Sequence, residues 1–189
     1  MDMLFVNACM RKESRTQQLA HRVLEEFEGS IEEIHIGTAN VSPLDSESIV
    51  IYNDAVAAAR YDHPMFDYAK QFAAAEHILI AAPLWNFSIP SKLNDYLELV
   101  CTQGLSFDVD SKGVYHSLCA AKTLTFVTTS GGITQNPQDD HAFGLIRTLN
   151  DQFWHIPDLK LVSAAGLDIY GADVDALLTA AAKKACPLW

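Results

Sequence analysis

A chain of 189 residues, 49% of them hydrophobic, is long enough for one well-buried α/β domain and too short for two full ones. Lys and Arg total 13 against 24 Asp and Glu, and the formal net charge of −11 argues against a nucleic-acid surface or a polybasic membrane patch. An anionic ligand would have to be met by a few cations placed locally. The four cysteines, Cys9, Cys101, Cys119 and Cys186, show no C-x-x-C spacing and read as free thiols in a reducing compartment. Met1-Asp2-Met3 leads into apolar residues without a basic signal-peptide region, and the longest nearly uncharged stretch, 78–90, is too short to span a bilayer. A cytoplasmic protein is expected.

Leu4-Phe5-Val6 reads as a buried strand, and residues 14–27 as a helix with Leu19, Val23, Leu24 and Phe27 on one face and Gly29 as its stop. Residues 31–36 alternate apolar and acidic, as a more exposed strand does. Pro43, Asp45 and Ser46 suggest a loop, the Ala-rich stretch after Asn53 a short helix, and 66–76 a better one. Residues 77–82 form a continuous apolar run, the pattern of a strand covered on both faces. A helix over 91–100, an excursion with polar turns over 105–115, a strand over 123–128, a helix over 142–153, a strand over 159–164 and a helix over 174–185 complete the chain. Five strands alternating with helices predict a doubly wound parallel sheet in a single domain, 1–189. Such sheets bind ligands beyond the carboxyl ends of their strands, which directs attention to the loops after the first, third and fourth.

The first loop is Ala8-Cys9-Met10-Arg11-Lys12-Glu13-Ser14-Arg15-Thr16. A phosphate here would meet free backbone N–H groups at a helix start, the hydroxyls of Ser14 and Thr16, and the charge of Arg11 and Arg15. The alternative stands beside it: Ser14 caps the helix and the arginines are solvated. The second loop, Pro83-Leu84-Trp85-Asn86-Phe87-Ser88-Ile89-Pro90, offers ring faces and hydrogen-bonding edges to a flat heteroaromatic ligand, or else packs its aromatics into the core. The third, Thr129-Ser130-Gly131-Gly132, lets a backbone approach a ligand closely, or is an ordinary turn. Each loop alone has a plain structural reading; their placement at three carboxyl strand ends points to one site. The seven histidines show no metal-ligand spacing, so no metal is expected.

These segments resemble the flavodoxin-like NAD(P)H-dependent FMN oxidoreductases, and among them the FMN-dependent NADH-azoreductases. Cys9 to Thr16 resembles the family's phosphate loop, Ala82 to Pro90 its isoalloxazine cradle, and Thr129 to Gly132 its pyrimidine-side loop. The resemblance implies a flavodoxin-like sheet of order 2-1-3-4-5 and FMN held by Cys9, Arg11, Ser14, Thr16, Pro83, Leu84, Trp85, Asn86, Phe87, Thr129, Ser130, Gly131 and Gly132. It also implies NADH or NADPH as donor, a quinone- or azo-type acceptor, two-electron ping-pong turnover, and a homodimer to which the apolar helix 91–100 would lend a face. No catalytic side chain is assigned. Cys9 stands where the family has serine, and Ser130 where azoreductases have arginine. The rival function is a flavodoxin-type electron carrier or a flavin-binding redox sensor.

Overall fold

A computed structural model of the protein describes residues 1–134, 136 and 139–185; Cys186 lies outside them. Five parallel strands form the sheet: β1 (Met3–Asn7), β2 (Ile31–His35), β3 (His77–Ala81), β6 (Thr123–Thr129) and β7 (Asp158–Ala164), in the order β2-β1-β3-β6-β7. With the two short strands described below set aside, this is the expected 2-1-3-4-5. All of β1 and β6 and most of β3 are buried, as the apolar runs of β1 and β3 require, and β6 carries four threonines into the same interior. The acidic residues of β2 mark it as an edge strand, with only Ile34 buried.

Alternation along the strands divides the core in two. Leu4, Val6, Ile78, Ile80, Leu124 and Phe126 point to one face, covered by α3 (Asp67–Ala74) and α4 (Ser91–Val100). Met3, Phe5, Leu79, Val127 and Val162 point to the other, covered by α1 (Arg15–Leu24) and α6 (Val174–Ala185). The helix expected to lend a face to a second copy, α4, instead buries Leu93, Tyr96, Leu97, Leu99 and Val100 within its own chain.

Three segments differ from expectation. The helix α2 (Ser48–Ala57) begins before Asn53, because the Asp45 carboxylate accepts the N–H groups of Glu47 and Ser48 and the Ser48 hydroxyl. Its apolar residues run all round it, so no helical period announces it, and it buries none of them. The excursion is an antiparallel hairpin of β4 (Phe107–Val109) and β5 (Tyr115–Ser117), turned by Asp110 and by Gly113 at φ +80°. Phe107 and Tyr115 anchor it on Phe153. The helix after the third loop is regular only over α5 (His141–Leu149) and ends in a wider π-type turn over Asn150–Trp154. Trp154 is fully buried against Phe72, so it packs the core, while His155 leaves the turn exposed at φ 46°. Among the described residues no helix is long and apolar enough to cross a membrane.

The π-type turn depends on Asn150, whose buried amide donates to the Ile156 carbonyl and accepts the Ile156 N–H. Asn150→Ala leaves both backbone groups unpaired and is expected to lower stability in urea by about 1–3 kcal/mol; no loss would show that the turn holds itself.

Candidate functional site

The site is built at the carboxyl edge of the sheet, where the ladder of hydrogen bonds continues past the strands into the loops. Ala8 N–H donates to Ala81 O at 2.8 Å, Ala82 to Val127 and Leu84 to Thr129, each at 3.0 Å, and Ser130 to Ala164 at 3.0 Å. Asn7, fully buried at the end of β1, accepts the Cys9 N–H and donates to Glu33 Oε1, which fixes how the first loop leaves the sheet. The Thr16 and Thr129 hydroxyls meet at 2.6 Å and tie α1 to β6.

The second loop is a tight hairpin: Trp85 and Ser88 exchange both backbone hydrogen bonds, and Asn86 and Phe87 sit at φ 50° and 62°. Positive φ at both central positions is the type I′ turn. Asn tolerates that conformation, whereas Phe holds it at a cost. The Phe87 carbonyl accepts the His141 N–H at the start of α5, so the strained turn is clasped to the far side of the third loop. Trp85 and Phe87 are both exposed, which rules out the reading that these aromatics fill the core.

In the third loop the carbonyls of Ser130, Gly131 and Gly132 accept N–H groups from Leu167, Asp168 and Gly166 after β7. Gly131 and Gly132 donate their own N–H groups to no described residue, and neither do Arg15 and Thr16 in the first turn of α1. Ser14 caps that helix by accepting the Gln17 N–H at 3.3 Å. Unpaired donors therefore stand on both sides of one cavity of about 320 Å³, lined by residues of all three loops and of a fourth, after β7.

A model of the flavodoxin-like fold matches residues 1–187. The chain belongs to this family. An FMN-dependent NADH:quinone oxidoreductase of Coprothermobacter proteolyticus is 30% identical over 92% of this chain and 90% of its own length. Another from Clostridium acetobutylicum is 29% identical over 96% and 94%. In fold, the chain is similar to an FMN-dependent NADH-azoreductase of Bacillus anthracis solved with FMN, at a TM-score of 0.79 and 22% identity over 97% and 95% of the two chains.

Of the expected residues of this family member, Arg11, Ser14, Thr16, Pro83, Leu84, Trp85, Thr129, Ser130 and Gly131 line the cavity. Cys9, Asn86, Phe87 and Gly132 do not. The Cys9 thiol turns into the core, 3.7 Å from the Ala81 carbonyl, and burial pushes its pKa up to about 11, so it stays a neutral thiol. Asn86 and Phe87 form the tip of the hairpin, and Gly132 lies just beyond the wall. The cavity also takes Glu13, Arg15, Leu167 and Asp168. Arg15 donates to the Leu167 carbonyl at 3.0 Å and pairs with Asp168 at 2.5 Å, which leaves Arg11 as the cation without a carboxylate. Arg11 lies 6.0 Å from the centre of the Trp85 ring, joining first and second loops. A Cβ on Gly131 would collide with the Asp168 carboxylate as it lies here, so glycine leaves room for that side chain over the third loop. Gly166, at φ +78°, turns this fourth loop after β7, and a glycine following the last strand is the one mark of it in the sequence.

The turn can be tested apart from any ligand. Phe87→Gly creates Asn-Gly, the preferred type I′ pair, and is expected to raise stability by roughly 0.5–1 kcal/mol. Phe87→Val, β-branched at the same positive φ, should lower it. Equal thermal midpoints for the two variants would show that the turn is not strained.

Proposed function

We propose that the chain is an FMN-dependent oxidoreductase that takes electrons from NADH and delivers them in pairs to quinone-type acceptors. The observation that carries this reading is the set of unpaired N–H groups, of Arg15, Thr16 and Gly131, on residues that line a single cavity together with Trp85. The donor set fits the parts of FMN. A phosphate suits the Arg15 and Thr16 N–H groups at the start of α1, with the Arg11 charge beside them. The ring's electron-accepting edge suits the Gly131 and Gly132 N–H groups, which can stabilise negative charge there. The exposed indole of Trp85 offers a flat apolar flank.

When bound, FMN supplies reversible two-electron redox chemistry that no side chain here possesses. The chain's own part is to bind and orient it, to leave one side open to partners, and to hold donors where charge develops. NADH or NADPH and the acceptor are taken in turn at that open side, a ping-pong scheme; azo compounds are a second acceptor class on the same logic. A homodimer is part of the reading, and α2, with Val50 56% and Ile51 49% exposed, is the apolar surface that fits a second copy. Val50→Asp with Ile51→Asp should then give a monomer in sedimentation.

Hydrogen bonds to charged groups are worth about 1.5–3 kcal/mol, so Arg11→Ala should weaken FMN binding roughly ten- to a hundred-fold. Riboflavin, which lacks the phosphate, should bind almost unchanged. A preserved FMN-to-riboflavin preference would place the phosphate elsewhere. Steady NADH consumption with a quinone present supports the enzyme; flavin binding without turnover would support an electron carrier or sensor instead.

A further inference from the structure

A second cleft, of about 740 Å³, lies between α5 and the outer half of the sheet, separated from the first by a shared wall of Leu84, Thr129 and Ser130. Its size falls within the roughly 300–1,000 Å³ of small-molecule sites. The face of β7 that α5 fails to cover supplies Leu161, 40% exposed, and α5 supplies Phe143 and Leu145.

Two features of the cleft serve no purpose in the folded chain alone. Thr128 lies on the α5 side of β6 and is 4% exposed, yet its hydroxyl has no hydrogen-bond partner among the described residues. A buried hydroxyl left unpaired destabilises the protein that carries it, and one belonging to the wall of a cleft can be paired by what enters it. Gly144 interrupts the middle of α5, where glycine is the poorest ordinary helix former. A Cβ there would meet nothing within 4 Å, so glycine is not required by packing; its effect is to leave the wall open.

Charge gives the occupant its sign. Arg147, one turn from Gly144 on α5, makes no ion pair with any described residue, although the chain carries −11 overall. Asp140 is the sole acid among the described lining residues, and its Oδ1 already accepts the Ala142 and Phe143 N–H groups. We propose that this cleft is a binding site, distinct from the first cavity, for a flat aromatic molecule bearing one anionic substituent. The ring lies against Phe143, Leu145 and Leu161, the anion meets Arg147, and Thr128 donates to a polar atom of the buried end.

The test is calorimetric titration with 6-hydroxynaphthalene-2-sulfonate, whose hydroxyl oxygen can accept from Thr128 while its sulfonate meets Arg147, with neutral 2-naphthol as its comparison and FMN as a control for fold. The wild type should bind the sulfonate more tightly than the naphthol. Arg147→Gln should remove that preference, and Gly144→Leu, which fills the cleft from its open wall, should abolish binding of both while FMN binding persists. Thr128→Val should give a more heat-stable protein that binds the sulfonate roughly tenfold more weakly, a pairing that a purely structural hydroxyl would not produce. No binding by the wild type at millimolar probe, or unchanged binding in Gly144→Leu, overturns the proposal. Neither result bears on FMN, so this site and the flavin reading can fail separately.

Discussion

The backbone hydrogen bonds that run on past the ends of the strands are the constraint on which the rest of the site depends. A parallel sheet leaves its loops to find partners for their own N–H and C=O groups, and buried groups without partners are costly. Here Ala8, Ala82, Leu84 and Ser130 each donate to the carboxyl end of the neighbouring strand, and the carbonyls of residues 130–132 are taken by the loop after β7. Four loops are thereby fixed as one surface. Of the N–H groups that this pairing leaves over, those of Arg15 and Thr16 at the start of α1 and of Gly131 belong to residues lining one cavity, and that of Gly132 is the next along the chain.

The electrostatics follow from which charges that surface consumes. Arg15 is held by Asp168 and the Leu167 carbonyl, so it serves as a brace between the first and fourth loops. With side chains 40% and 70% exposed, the pair itself adds at most about 1 kcal/mol. Its weight is geometric: it sets the Asp168 carboxylate over Gly131, where a larger residue would have to displace it from Arg15. Arg11, 6.0 Å from the Trp85 ring, remains the cation of this cavity that no carboxylate among the described residues neutralises.

The fold was legible because unbroken apolar runs such as 77–82 belong only to strands covered on both faces, and their alternation with helices permits few sheets. The three loops were legible because strand ends are where such sheets bind. What the sequence concealed has physical reasons. Asp168 and Leu167 reach the cavity from a loop beyond the switch point, which no local pattern connects to Gly131. The turn at Asn86-Phe87 lacks the glycine that signals type I′, because the clasp to His141 and the pairing of Trp85 with Ser88 impose a conformation that Phe would not choose. Asn7 looks like the polar end of an apolar run, yet it is a buried clamp on the first loop. The apolar face of α4 suited a partner as well as a core, and only packing against α3 and the sheet decided between them.

The central claim is that the unpaired amides of the two loops are the cofactor's handles. Titrating the ¹⁵N-labelled protein with FMN and following its amide resonances tests it most directly. The account predicts that Arg15, Thr16, Gly131 and Gly132 shift and gain protection from hydrogen exchange together, saturating at one FMN per chain. Saturation by FMN with these four amides unmoved and still exchanging would contradict it.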